Sequence, residues 1–205
     1  MIYDNDGKKD YLLFRRAVLI VAILNLGYFF IEFAVALDIS SVSLFADSID
    51  FFEDAAVNFL IFVALAWSAY RRSIVGMLLA LILLVPSAFT LWIVWQKFNT
   101  PIIPSASFLT ITGIGALCVN LFCAFLLTRF RKHKNSLARA AFLSARNDAV
   151  ANIAIIGAGL ATALTISVWP DLLVGIGIFL MNLDAAREVL SVAREERKII
   201  LENEA

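Results

Sequence analysis

The chain is a succession of long apolar runs separated by short polar ones. The first apolar run extends from about Leu13 to Leu37 and ends in a tight turn at Asp38. A second follows from about Ser41 to Ser68, and Arg71 and Arg72 divide it from a third, about Ile74 to Gln96. Pro101 and Pro104, with Asn99, mark the stretch Phe98 to Pro104 as a loop. The fourth run covers about Ser107 to Leu127, the fifth about Leu137 to Leu164 and the sixth about Trp169 to Leu183. Each approaches or exceeds the roughly 20 residues that cross a bilayer as a helix. The pattern predicts an all-α fold, a bundle of six transmembrane helices. Residues 1–12 read as a cytoplasmic tail, 13–186 as the transmembrane domain and 187–205 as a short charged cytoplasmic helix, Arg187 to about Leu201.

Composition agrees with the pattern. The chain has 205 residues, of which 61% are hydrophobic, and a mean hydropathy of +0.87; soluble domains are about 45–50% apolar. The formal net charge is zero, so only its distribution is informative. Basic residues collect at Lys8, Lys9, Arg15 and Arg16, at Arg71 and Arg72, at Arg129 to Lys134 with Arg139, and at Arg187, Arg194, Arg197 and Lys198. The opposite side holds Lys97 alone. The positive-inside rule then places both termini in the cytoplasm. Trp92, Trp95 and Trp169 fall at the outer span ends, where interfacial aromatics belong. The polar first dozen residues and the length of the first run do not fit a cleavable signal peptide. Cys118 and Cys123 read as packing residues with free thiols. No nucleic-acid partner is expected.

One short motif occurs twice. Asp50, Asp54 and Asn58 recur in the second run as Ser144, Asp148 and Asn152 do in the fifth, each time at i, i+4 and i+8. On a helix those positions share one face. The second and fifth spans run in opposite directions, so antiparallel neighbours would bring Asp50 and Asp54 against Ser144 and Asp148 near mid-membrane. Carboxylates inside a membrane are costly and tend to mark ion or proton paths. Three of them in low dielectric need a counter-charge. A divalent cation supplies two positive charges, and protons supply the balance when it leaves. That exchange is a route to metal–proton antiport. Asp50, Asp54, Ser144 and Asp148 are the candidate ligands, with Asn58 and Asn152 as further candidates. Intramembrane Ser and Asn also hold helices together.

Other polar residues stand within the spans. Glu32 reads as a helix–helix hydrogen-bonding group, or alternatively as a proton relay. Asn25 and Asn120 are the remaining amides, and Asp47 is placed to line an outer vestibule. Arg146 is expected to snorkel to the interface, and His133 to be solvated in its basic loop. Asp171, at the start of the sixth span, reads as a carboxylate favouring its own helix dipole.

Ser41 to Asp54, with its Ala46-Asp47 pair and the spacing of Asp50 and Asp54, resembles the "S-hydrophobic-ADxxHxxxD" signature of the cation diffusion facilitator family. Asp50 stands where that family has His or Asp. Ala141 to Asp148 is similar to its "FLHxxxD" element, with Ser144 in place of the usual His or Asp. The Trp92 to Pro101 region and Trp169 to Gly175 are similar to family patterns as well. The resemblance implies a six-helix homodimer in the lipid bilayer that exports Zn²⁺ or similar divalent metals in exchange for protons. It implies Asp50, Asp54, Ser144 and Asp148 as ligands. Most members carry a cytoplasmic C-terminal metal-sensing domain; the roughly twenty residues after the sixth span are too few for one. The sequence is most similar to short bacterial members without it, which implies the bacterial inner membrane.

No His remains among the candidate ligands. Zinc favours nitrogen and sulfur, whereas oxygen-only sites suit Mg²⁺ and Mn²⁺. The transported ion therefore stays open among Zn²⁺, Mn²⁺, Fe²⁺, Co²⁺ and Cd²⁺, with no permanently bound cofactor expected. The alternative to an exporter is a non-transporting, degenerate relative with a regulatory or partner-binding role. An intramembrane enzyme is disfavoured, because the Gly-x-Gly-Asp element of aspartyl intramembrane proteases does not occur.

Overall fold

The computed structural model describes residues 5–64, 89–128 and 136–181, with side chains characterised over 12–63, 89–128 and 147–181. Six helical segments and no strand occur among the described residues. They are α1 (Asn5–Asp38), α2 (Val42–Ala64), α3 (89–99), α4 (Ala106–Thr128), α5 (Ser136–Thr165) and α6 (Trp169–Met181). The bounds follow the apolar runs closely, except at the start of α1. There the helix continues through the polar residues back to Asn5, across Gly7. The third span before residue 89, the basic loop with His133 and the C-terminal charged helix lie outside the described residues.

Among the described residues, three stretches are long and apolar enough to cross a membrane: Leu12–Asp38, Ala106–Thr128 and Asn147–Thr165. The length of α2 would suffice too, but Asp47, Asp50, Glu53 and Asp54 interrupt its apolar character. Four helices form a ring. The α1–α2 and α4–α5 pairs pack along much of their length, and sparser α1–α4 and α2–α5 contacts close it. The α2–α5 seam is the one that carries the acids. On the α4–α5 seam, a Cβ added at Gly159 would come within 3.1 Å of the Thr110 backbone nitrogen, so glycine permits this approach. Gly157 meets nothing and faces outward.

Among the described residues large apolar side chains cover the exterior, while polar and acidic ones are buried among the apolar core. Phe30, Ile111, Phe125, Ile153 and Leu164 are exposed, whereas Asn25, Glu32, Asp47, Asn58, Asn120 and Asn152 are buried. Two apolar clusters frame these amides and acids. One joins α1, α2 and α4 through Phe14, Val18, Ile61 and Leu127. The other joins α1, α2, α4, α5 and α6 through Ala36, Phe45, Leu109, Ile155 and Ile178.

The α1–α2 turn is held from two other helices. Ser40 adopts φ 53°, and Ser41 caps α2, its Oγ accepting from the Leu44 N–H at 3.2 Å. Asp171 of α6 was expected to serve its own helix. Its carboxylate is instead taken by the start of α2, because α6 crosses there: a Cβ on Gly175 would fall 2.8 Å from Ser43 N. Asp171 accepts from Ser41 Oγ at 2.6 Å, Val42 N at 2.9 Å, and Ser43 N and Oγ at 3.1 and 2.6 Å. The Lys97 ammonium of α3 lies 3.4 Å from Asp171 Oδ2 and donates to the Ser40 carbonyl. The one basic residue on that side of the chain is thus buried in an ion pair. Nearby, the exposed Trp169 meets Phe98 edge-on with ring centroids 6.0 Å apart.

Candidate metal centre

The repeated motif builds the same local structure twice. Asn58 Nδ2 donates to the Asp54 carbonyl at 2.8 Å. Asn152 Nδ2 donates to the Asp148 carbonyl at 2.9 Å. Each amide uses its donors on its own helix, one turn back. Each is left with a buried Oδ1 that has no hydrogen-bond partner among the described residues. An unpaired buried acceptor is costly, and the two copies of the motif share this feature.

The acids of α2 and α5 face one another. Among neighbouring charges, Asp148 acts most strongly on Asp50, ahead of Asp47, Glu53 and Asp54. Asp148 in turn couples most strongly to Asp54 and lies within hydrogen-bonding reach of it. Its Oδ2 is buried without a partner. Asp50, Asp54 and Asp148 are half-buried. Among the described residues no three His, Cys, Asp or Glu side chains already close around one point. The acids converge on the seam without forming a finished cage.

A third helix reaches the same place. Asn25 of α1, fully buried, donates to Asp54 Oδ2 at 3.4 Å. Its Oδ1 accepts from the Cys123 thiol of α4 at 3.7 Å. Cys123 therefore sits behind the acids, while Cys118 is exposed on the other face of α4. Nothing in the spacing of α1 singled out Asn25, which is one polar residue in an apolar run. The backbone of Ser144 belongs to α5, one turn before Asp148. The side chains of Ser144 and Arg146 lie outside the described residues.

A second pair of acids lies one turn nearer the Ser41 end of α2. Glu32 of α1 and Asp47 of α2 are both fully buried and are neighbours. The two carboxyl groups lie within hydrogen-bonding reach of each other across the α1–α2 contact. Glu32 thus pairs with a residue of the neighbouring helix, and Asp47 is enclosed rather than open to a vestibule.

Helices of membrane-spanning length, an apolar exterior and acids facing across an interior seam define an integral membrane protein built to carry charge inward of its lipid-facing surface. Residues 18–196 match the cation efflux transmembrane domain, and the chain belongs to the cation efflux family. It is accordingly a membrane transporter of metal cations, from a family of transporters rather than enzymes. No curated protein sequence matches the chain.

Proposed function

We propose that the protein is a divalent metal exporter that exchanges its ion for protons, the ion binding between α2 and α5. Asp50, Asp54 and Asp148 are its charged ligands, Ser144 is a fourth, and the Asn58 and Asn152 carbonyls contribute from the flanking turns. The observation that carries this reading is the closeness of Asp148 to Asp54 and Asp50 across the α2–α5 seam. Like charges crowded in low dielectric repel, and a divalent cation or protons relieve that repulsion. The two states that relieve it are mutually exclusive, which couples metal exit to proton entry.

An all-oxygen set suits Mn²⁺, within a range of candidate ions that also includes Zn²⁺, Fe²⁺, Co²⁺ and Cd²⁺. Both termini are cytoplasmic in this reading, in a bacterial inner membrane, and the transporter works as a homodimer. The test is metal uptake into proteoliposomes with an imposed pH gradient. Uptake should follow the gradient in the wild type and stop in Asp54→Asn. Uptake indifferent to the gradient removes the proton coupling; uptake undiminished in Asp54→Asn removes the site.

A further inference from the structure

We propose that Asn25 is a positioning residue for the metal centre: from α1 it fixes the carboxylate of Asp54, and so makes the α2–α5 seam select Mn²⁺-sized ions over the larger Ca²⁺. The inference rests on the α2–α5 reading and adds to it a residue from a third helix. Four side-chain amides are buried among the described residues, Asn25, Asn58, Asn120 and Asn152, and Asn25 is unlike the rest. Asn58 and Asn152 donate to carbonyls of their own helices. The Oδ1 atoms of Asn58, Asn120 and Asn152 have no hydrogen-bond partner among the described residues. Asn25, 0% exposed, is engaged at both ends, each time by another helix.

The two bonds form a directed chain. The Cys123 thiol of α4 donates to Asn25 Oδ1 at 3.7 Å, and Asn25 Nδ2 donates to Asp54 Oδ2 at 3.4 Å. A donor at Oδ1 turns the NH₂ group of the amide toward α2, where an ionised carboxylate is an acceptor. Behind Asn25, Cys123 packs with Val18, Val21, Ile61 and Leu127. That apolar wall offers no substitute donor, so removing the amide leaves its bond to Asp54 unmade.

Selectivity follows from the geometry. With Oδ2 held by the amide, Asp54 cannot turn both oxygens to one ion without giving up that bond. Ca²⁺ takes about 6–8 oxygen ligands and accepts a carboxylate through both of its oxygens, whereas the smaller Mg²⁺ demands a tight octahedral shell. Mn²⁺ shares the octahedral oxygen sites of Mg²⁺. Holding Asp54 to one oxygen therefore disfavours the larger ion more. An amide that only tied helices together would act on stability and leave relative ion affinities unchanged.

The experiment is Mn²⁺ titration of the purified full chain in detergent, followed by the loss of the free-ion EPR signal, with and without competing Ca²⁺; thermal melting confirms folding. Asp54→Asn is the reference for the site itself and should lose the ion. Asn25→Leu should lose about 10–100-fold in Mn²⁺ affinity, the range for removing a group that orients a metal ligand. It should lose less Ca²⁺ affinity, so that Ca²⁺ competes better than in the wild type. Cys123→Ala should move both quantities the same way by a smaller factor, and Cys123→Ser, whose hydroxyl still donates, should restore them. Unchanged Mn²⁺ affinity in Asn25→Leu, or an equal loss for both ions, overturns the inference while Asp54→Asn still upholds the α2–α5 reading. If Asn25→Leu does not fold, the cysteine variants decide: Cys123→Ala binding like the wild type, or Cys123→Ser binding like Cys123→Ala, overturns it. Undiminished Mn²⁺ binding in Asp54→Asn removes the α2–α5 reading and this one with it.

Discussion

Lys97 Nζ and Asp171 Oδ2 lie 3.4 Å apart, with both side chains buried, and between them they fasten three helices. Lys97 comes from the end of α3, Asp171 from the start of α6, and both hold the α1–α2 turn. Removing one partner of a buried ion pair leaves the other uncompensated, at a cost of about 3–5 kcal/mol. Asp171→Ala should be the more damaging change, because it also strips the caps from Val42 and Ser43. Lys97→Met should cost less, since the four hydrogen bonds from α2 still stabilise the carboxylate. Thermal melts in detergent read the order directly; equal loss in the two variants would show that the capping bonds contribute little.

Ile166 carries the opposite kind of prediction. It follows the last turn of α5 with φ 48°, a left-handed conformation that is a genuine outlier for a β-branched residue. Its N–H still closes the helix on the Thr162 carbonyl at 2.9 Å, and its side chain is exposed. Glycine adopts this conformation without the Cβ clash, which costs an L-residue roughly 1–2 kcal/mol. Ile166→Gly should therefore raise the melting temperature rather than lower it. A lower one would mean that the exposed isoleucine is held by lipid or a partner.

Asn58 and Asn152 provide a test of the repeat itself. Each donates to the carbonyl of the aspartate one turn back, and each leaves its Oδ1 free. If the two copies are equivalent in function as they are in geometry, Asn58→Leu and Asn152→Leu should weaken metal binding to a similar extent. The expected loss is about tenfold, the lower end of what removing a supporting group around a metal costs. Isothermal titration with Mn²⁺ measures both. An effect in one copy alone would assign the ion to one helix's turn.

How much of this could be read from the sequence depended on whether partners shared an element. The stripe of Asp50, Asp54 and Asn58, and that of Ser144, Asp148 and Asn152, were legible because i, i+4, i+8 spacing is a property of one helix. The span limits were legible because apolar length is local. Asp171 was misread because its partners, Ser41 to Ser43, lie about 130 residues away, and a carboxylate near a helix start already had a sufficient local explanation. Asn25 and the Glu32–Asp47 pair were undetermined for the same reason. A lone polar residue in an apolar run reveals that it needs a partner, but not which helix provides one. The third helix before residue 89 and the side chain of Ser144 lie outside the described residues, so those expectations stand as they were.

The closeness of Asp50 and Asp148 makes a prediction about additivity. Asp148 of α5 faces Asp50 of α2 across the seam, so in the metal-free protein the two carboxylates repel when both are charged. Replacing either by Asn removes a ligand but also removes that repulsion. Each single variant should therefore lose Mn²⁺ affinity, and the double variant should lose more than the sum of the two losses, because the relief offsets the loss in each single variant but occurs only once in the double. Groups in contact commonly deviate from additivity by about 0.5–3 kcal/mol. Asp50→Asn paired with Asp171→Asn is the control, because Asp171 is engaged with the far end of α2 and Lys97, and that pair should be additive in affinity. Measured by titration across the full cycle, simple additivity for Asp50 and Asp148 would mean that the two acids do not act on one ion, and the seam between α2 and α5 would lose its claim to be the transport site.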